Sequence, residues 1–280
     1  MSVKIITDTA ADFTPAEAQA LGVSMAPMKV MFGEEEYTAS FGLTGDEFYQ
    51  KLAAAKDLPT TSQPSVTRFE ELFAACPEDE LVVILVASAL SGTFQSAAIA
   101  AQALPEKNIY LVDSASATLG QRILVERAVQ LRDMGLTGSQ IAKTLEHEKK
   151  DIVLIAVIDT LKYLHKGGRL SKTAAIAGGL LGVKPVVTLR NGAIEVLGKE
   201  RGTARALKFL HTTAEGLGLP DMSRPSSLAY TGCDPSVLEP LIAELGKDFI
   251  SDNTVTDHIG PTIGVHVGPG AFGIAYFRKK

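Results

Sequence analysis

The 280-residue chain has no tryptophan, two cysteines and only 6% aromatic residues. Cys76 and Cys233 stand far apart and form no Cys-x-x-Cys pair. A disulfide framework or a thiolate metal site is therefore not expected, and a reducing cytoplasm is the natural setting. A basic block is missing too: 27 Lys+Arg against 32 Asp+Glu give a net charge of −5. Binding that relies on neutralising nucleic-acid phosphates is excluded on that balance. Modest charge with 46% hydrophobic residues excludes a disordered chain. The opening MSVKIITD carries one Lys and no cleavage site, unlike a signal peptide. Residues 81–105 lack charge and are long enough to span a bilayer. Their middle, Ser88-Ala-Leu-Ser-Gly-Thr-Phe-Gln-Ser96, is polar and turn-like, so a buried strand followed by a helix is expected and no membrane span. Catalytic signatures are also lacking. There is no Gly-x-Ser-x-Gly elbow, Walker A sequence, His-Glu-x-x-His or dinucleotide-type glycine motif after the first strand.

What is present in the first half is alternation of strands and helices. Residues 3–7, 81–86, 108–112 and 152–158 are short apolar runs of the kind buried in a parallel sheet, and 23–32 has an extended pattern. Thr14-Pro15-Ala16-Glu17 and Thr44-Gly45-Asp46-Glu47 each supply an N-cap hydroxyl and a Glu that closes a capping box. The second half reads differently. Arg190-Asn191-Gly192 between 186–189 and 193–197 predicts a β-hairpin, because Asn-Gly suits positive φ. Strands are expected at 227–231, 254–258 and 272–277, with a helix over 235–245. The expectation is α/β: a mainly parallel sheet domain over 1–160 and an α+β domain over 161–280.

Ligands in open α/β sheets collect at the carboxyl ends of strands. Asp8-Thr9, Ser88 through Ser96 and Asp113-Ser114 stand at such ends. Ser91-Gly92-Thr93 opens an uncharged helix, whose free N–H groups favour an anion; the same Ser91 reads equally as a plain helix cap. Thr60-Thr61-Ser62-Gln63-Pro64-Ser65 is a hydroxyl-rich loop between helical segments, or simply a capped turn. His266 stands in the glycine-dense loop Gly264-Val265-His266-Val267-Gly268-Pro269-Gly270, which suggests close backbone approach to a ligand. His147 and His211 read as surface residues and His258 as a strand end. Gly167-Gly168-Arg169-Leu170-Ser171 reads as a helix C-cap, a solvent-facing Arg169 and the N-cap of a following helix. A Ser-His hydrolase remains open as an alternative, with Ser91 as nucleophile, His266 as base and Asp8 or Asp113 as orienter.

Taken together, these clusters resemble the DegV family of bacterial fatty-acid-binding proteins. The matching segments are Ile6-Thr7-Asp8-Thr9, Thr61-Ser62-Gln63-Pro64-Ser65, Leu90 through Ala97, and Val112-Asp113-Ser114. Further along they are Asp159-Thr160-Leu161, Gly167 through Ser171, Lys184-Pro185, and Gly260-Pro261 through Gly270. They run in family order from residue 6 to residue 270. Departures are small: Thr9 stands where Ser is common, Val66-Thr67 follows the TSQPS loop, and His165 occupies a usually basic position.

The resemblance implies two α/β domains with a long-chain fatty acid held between them. It implies carboxylate contacts from Thr61, Ser91, Gly92 and His266, with Ser62, Thr93 and Asp8 behind them and no metal or cofactor. It also implies an acyl-carrier role without catalysis of its own. A separate fatty acid kinase docks at Arg169 and phosphorylates the bound carboxylate, and an acyl-phosphate acyltransferase then uses the product for phospholipid synthesis. A lipid-responsive regulator is the other non-enzymatic reading. Phe32, Phe41, Phe94 and the run 176–183 are candidate tunnel walls, although ordinary core is the plainer fate of each.

Overall fold

The computed structural model describes residues 2–170 and 182–280. Ser171, read above as an N-cap, and most of the apolar run 176–183 lie outside them. Strands β1 (Val3–Asp8), β2 (Val23–Ala26), β6 (Glu80–Leu85) and β7 (Asn108–Asp113) form a parallel sheet in the order β2–β1–β6–β7. Every residue of β6 is buried, which is why its sequence is a continuous apolar run and not an alternating one. A small antiparallel sheet, ordered β4–β3–β5, joins β3 (Lys29–Phe32), β4 (Glu35–Thr38) and β5 (Thr60–Ser62).

The third sheet has six strands. These are β8 (Ile152–Val157), β9 (Val183–Arg190), β10 (Ala193–Arg201), β11 (Ser226–Tyr230), β12 (Thr254–His258) and β13 (Phe272–Phe277). Their order is β10–β9–β8–β13–β11–β12, and only β11 and β12 run parallel.

The two larger sheets stack with helices into five layers. Helices Val66–Ala75 and Thr93–Gln102 cover the outer face of the parallel sheet, with Phe69, Phe73, Ala97 and Ala100 against Ile6, Val83 and Leu85. Helix Thr118–Asp133 lies between the sheets. Its Ile123, Leu124 and Ala128 share one core with Ile5, Val82 and Ile84 of one sheet and Leu154, Ala229 and Ala275 of the other. Eleven of its sixteen residues are buried, as a helix packed on more than one face requires. Helices Thr203–Leu217 and Glu239–Phe249 close the far side through Leu207, Leu210, Leu241 and Phe249. No described helix is long and apolar enough to cross a membrane.

Both predicted capping boxes form, and the 190–193 hairpin turns on Asn191 and Gly192 at φ 51° and 78°. Four expectations need correction. Residues 23–32 split into β2 and β3, which belong to different sheets. The 60–65 loop contains β5, paired to β3, before Ser65 caps the next helix. The helix expected at 235–245 opens as a 3₁₀ turn and reaches Phe249. Strand 152–158, read as parallel, is antiparallel to both neighbours in the six-stranded sheet. A wholly apolar strand reports burial on both faces and says nothing about direction.

Candidate functional site

Strands β1 and β6 end side by side, and Asp8 ties them together. Its carboxylate accepts from Ala10 N and Val86 N, each at 2.8 Å. Complete burial pushes this carboxyl up to about 6, although both backbone bonds pull it down. Beyond these strand ends lies a cavity lined from both the parallel and the six-stranded sheet. Ala10, Val86, Leu90 and Ala117 contribute from the parallel-sheet loops, and Leu154, Ala156 and Ile158 follow in alternation along β8. Val187, Leu189 and Ile194 come from the hairpin, and Ile263 and Val267 from helix Pro261–Val267. The walls are largely apolar, with polar exceptions at Thr61, Ser91, Thr118, Arg169, Thr188, Thr262 and His266.

Two of these polar residues meet directly, Thr61 Oγ1 and His266 Nε2 at 2.9 Å. Ser91 Oγ lies 2.8 Å from Thr93 Oγ1 and accepts from Thr93 N at 3.3 Å. Arg169 donates from Nε to Leu90 O at 3.1 Å and from Nη1 to Gly167 O at 2.6 Å. Burial first, and the Arg169 cation second, lower the His266 imidazole to about 4. It is neutral at pH 7. With its proton on Nε2, it donates to Thr61 and leaves the Thr61 hydroxyl free to donate to a ligand. The buried Nδ1 has no hydrogen-bond partner.

The structure thus brings Thr61, Ser91, His266 and Arg169 to one cavity. Gly92 does not line it: this residue is the N-cap of helix Thr93–Gln102 and is covered by Gln63, whose Nε2 donates to Gly92 O at 3.2 Å. Thr93 is buried behind Ser91, and Asp8 braces two wall residues without reaching the cavity. Ser62 is exposed and points away from the side Thr61 occupies. Phe32 and Phe94 pack in other cores, and Phe41 is 54% exposed.

Two local readings change. His266 lies in a helix, not a loop, because Gly260-Pro261 starts a helix that Gly268 ends at φ 75°. Arg169 is half-buried and turned toward Leu90, so it is not a free loop tip. Thr118, Thr188 and Thr262 were missed among the lining residues. Only Thr262, beside Gly260-Pro261, had a motif that could have drawn attention to it.

A family model described as "Uncharacterised protein, DegV family" matches residues 2–279. The chain belongs to the DegV family. A DegV domain-containing protein of Deinococcus radiodurans is 33% identical over 280 residues, covering 98% of each chain. The fatty-acid-binding DegV family protein of Thermus thermophilus is 29% identical and superposes with a TM-score of 0.88, covering 99% of this chain and 100% of the other. The fatty acid kinase B3 protein of Streptococcus pneumoniae, loaded with linoleic acid, has a TM-score of 0.87 over 100% of both chains. Its 20% identity makes that a likeness of fold.

In this DegV-family chain the Ser-His-Asp arrangement does not assemble. His266 Nε2 bonds Thr61, not Ser91; Ser91 bonds Thr93; Asp8 holds backbone amides; and Asp113 accepts from Ser88 and Ala115. A serine nucleophile needs the imidazole on its hydroxyl and an acceptor on the other ring nitrogen. Among the described residues no cluster of His, Cys, Asp and Glu forms a metal site. What the arrangement offers is an apolar volume with hydroxyl, imidazole and guanidinium donors gathered at one end.

Proposed function

We propose that this DegV-family protein binds a long-chain fatty acid and presents its carboxylate to a separate fatty acid kinase. The carrying observation is the cavity: apolar along β8 and the hairpin, polar where Thr61, Ser91, His266 and Arg169 converge. The Thermus relative, described as fatty-acid-binding, supports the ligand class. A buried carboxylate must be hydrogen-bonded, or its desolvation opposes binding. Each donor to the charged group contributes roughly 1.5–3 kcal/mol. Fifteen buried methylenes at about 0.8 kcal/mol each give roughly 12 kcal/mol before entropic costs. The tail therefore sets affinity, and the polar end sets register and chemistry. Arg169, at the mouth, joins the carboxylate end to the surface where the kinase docks. The kinase supplies the nucleotide chemistry, and an acyltransferase consumes the acyl-phosphate.

Denaturing extraction of the purified protein, followed by mass spectrometry, tests the ligand. A near-stoichiometric long-chain acid is expected. A lipid-free extract from a folded protein whose melting temperature does not rise with added fatty acid would overturn the reading. Capture of the loaded protein by a fatty acid kinase subunit tests the presenting role, and a regulator that only senses lipid would not be captured.

A further inference from the structure

The polar end of the acyl cavity has been described; its other end has not. Along β8 the cavity-facing positions run from Ile158, packed with Leu164 and Ala271 beside the polar end, through Ala156 to Leu154. At about 3.3 Å per residue that is roughly 13 Å of wall. At Leu154 the cavity meets a second depression, a surface groove near the 190–193 hairpin turn. Leu154, Thr188 and Leu189 line both spaces. Leu154 and Thr188 are buried, and the Thr188 hydroxyl donates its proton to Leu154 O at 2.7 Å, so the partition offers no free hydroxyl donor to the cavity. The groove behind is of opposite character. Lys149, Lys150, Arg190 and Arg278 line it, partly balanced by Glu146, Asp151 and Glu195.

We propose that the partition formed by Leu154, Thr188 and Leu189 is the chain-length stop of this protein, with Leu189 the residue that sets it. This rests on the fatty-acid reading above and specifies which acids that site takes. A methyl terminus that reaches the partition has exhausted the apolar volume. Passing it would place methylenes in a wet, cation-lined groove, where burial gains nothing. Pocket selection by methylene count is worth roughly tenfold or more per group. Leu189 is the informative position because it lies on the hairpin and is only partly buried, whereas Leu154 belongs to the central core.

The test is affinity for saturated acids from dodecanoic to docosanoic, measured on delipidated wild type, Leu189→Ala, Leu189→Phe and Val267→Ala, each checked for a folded melting transition. Leu189→Ala moves the tightest-binding acid longer and improves the longest acids by roughly tenfold. Leu189→Phe moves it shorter. Val267→Ala, on the cavity wall packed against the Ile158 and Leu164 cluster and not against the partition, weakens the series without moving its optimum. An unmoved optimum in both folded Leu189 variants overturns the inference while leaving the fatty-acid reading intact. A wild type that binds none of the acids removes both.

Discussion

A Cβ at Gly167 would collide with His266 Nδ1, so the absence of a side chain there is what lets the imidazole face Thr61. Gly167→Ala should swing or tilt the ring and break the 2.9 Å contact. Its φ of −73° suits alanine, so the backbone itself is not strained. The expected outcome is a folded protein with fatty-acid affinity reduced by up to roughly tenfold, the value of one neutral hydrogen bond that orients the Thr61 hydroxyl. Isothermal titration of delipidated protein would measure it, and unchanged affinity would remove the positioning role of Gly167. At this scale Thr61, Ser91 and His266 were legible as polar groups next to strand ends and glycines. Arg169 was misread because a Gly-Gly-Arg stretch does not reveal that the loop folds back on Leu90. That Gly92 is covered by Gln63 was not legible, because Gln63 comes from another part of the chain.

Helix Pro261–Val267 carries His266, Ile263 and Val267 to the cavity and is held by its opposite side. A Cβ on Gly264 would stand 2.5 Å from Phe48 Cε1 and 2.8 Å from Tyr49 Oη, two rings of helix Gly45–Ala54. Tyr49 also donates to Ile259 O at 2.9 Å, fixing the entry to the same helix. Gly264→Ala should therefore overpack this contact and lower stability by about 1–3 kcal/mol, seen as a reduced urea midpoint. An unshifted midpoint would mean the two helices slide apart freely. The sequence hid this helix because its glycines look like loop. Two of them bracket it and one allows close packing, which only the neighbouring rings explain. Strand 152–158 was hidden in the other direction: its pattern was right and its pairing unreadable, since an apolar run carries no information about which sheet receives it.

Across the whole molecule, the sheets are joined by a buried charge cluster on helix Thr118–Asp133. Arg122 lies 2.7 Å from Glu17, 3.1 Å from Glu126 and 3.1 Å from Asp257, stacks 4.3 Å over Phe13, and donates to Asp12 O. Asp12 accepts from Gly260 N at 2.9 Å, so the cluster also anchors the segment leading to helix Pro261–Val267. Burial is the leading cause that raises Asp12 to about 8, Glu126 to about 7, and Asp257 to about 6 against the pull of Arg122. A carboxyl whose folded value exceeds its unfolded one holds extra protons in the native state. Its stabilisation is complete at low pH and is lost as pH rises through the folded value. His266 has the opposite sign: with its folded value lowered to about 4, it favours the native state increasingly as pH climbs toward 6.5, and adds no slope above that. The two effects oppose each other between about 4 and 6.5 and separate above it, where only carboxyls such as Asp12 and Glu126 still release protons. Thermal unfolding of the delipidated protein should therefore give a melting temperature that falls from pH 6.5 to pH 8. Asp12→Asn, which keeps the Oδ1 acceptor for Gly260 N and cannot ionise, should flatten that fall. A wild-type curve that rises over this window would contradict the assignment of these protons to the buried carboxyls.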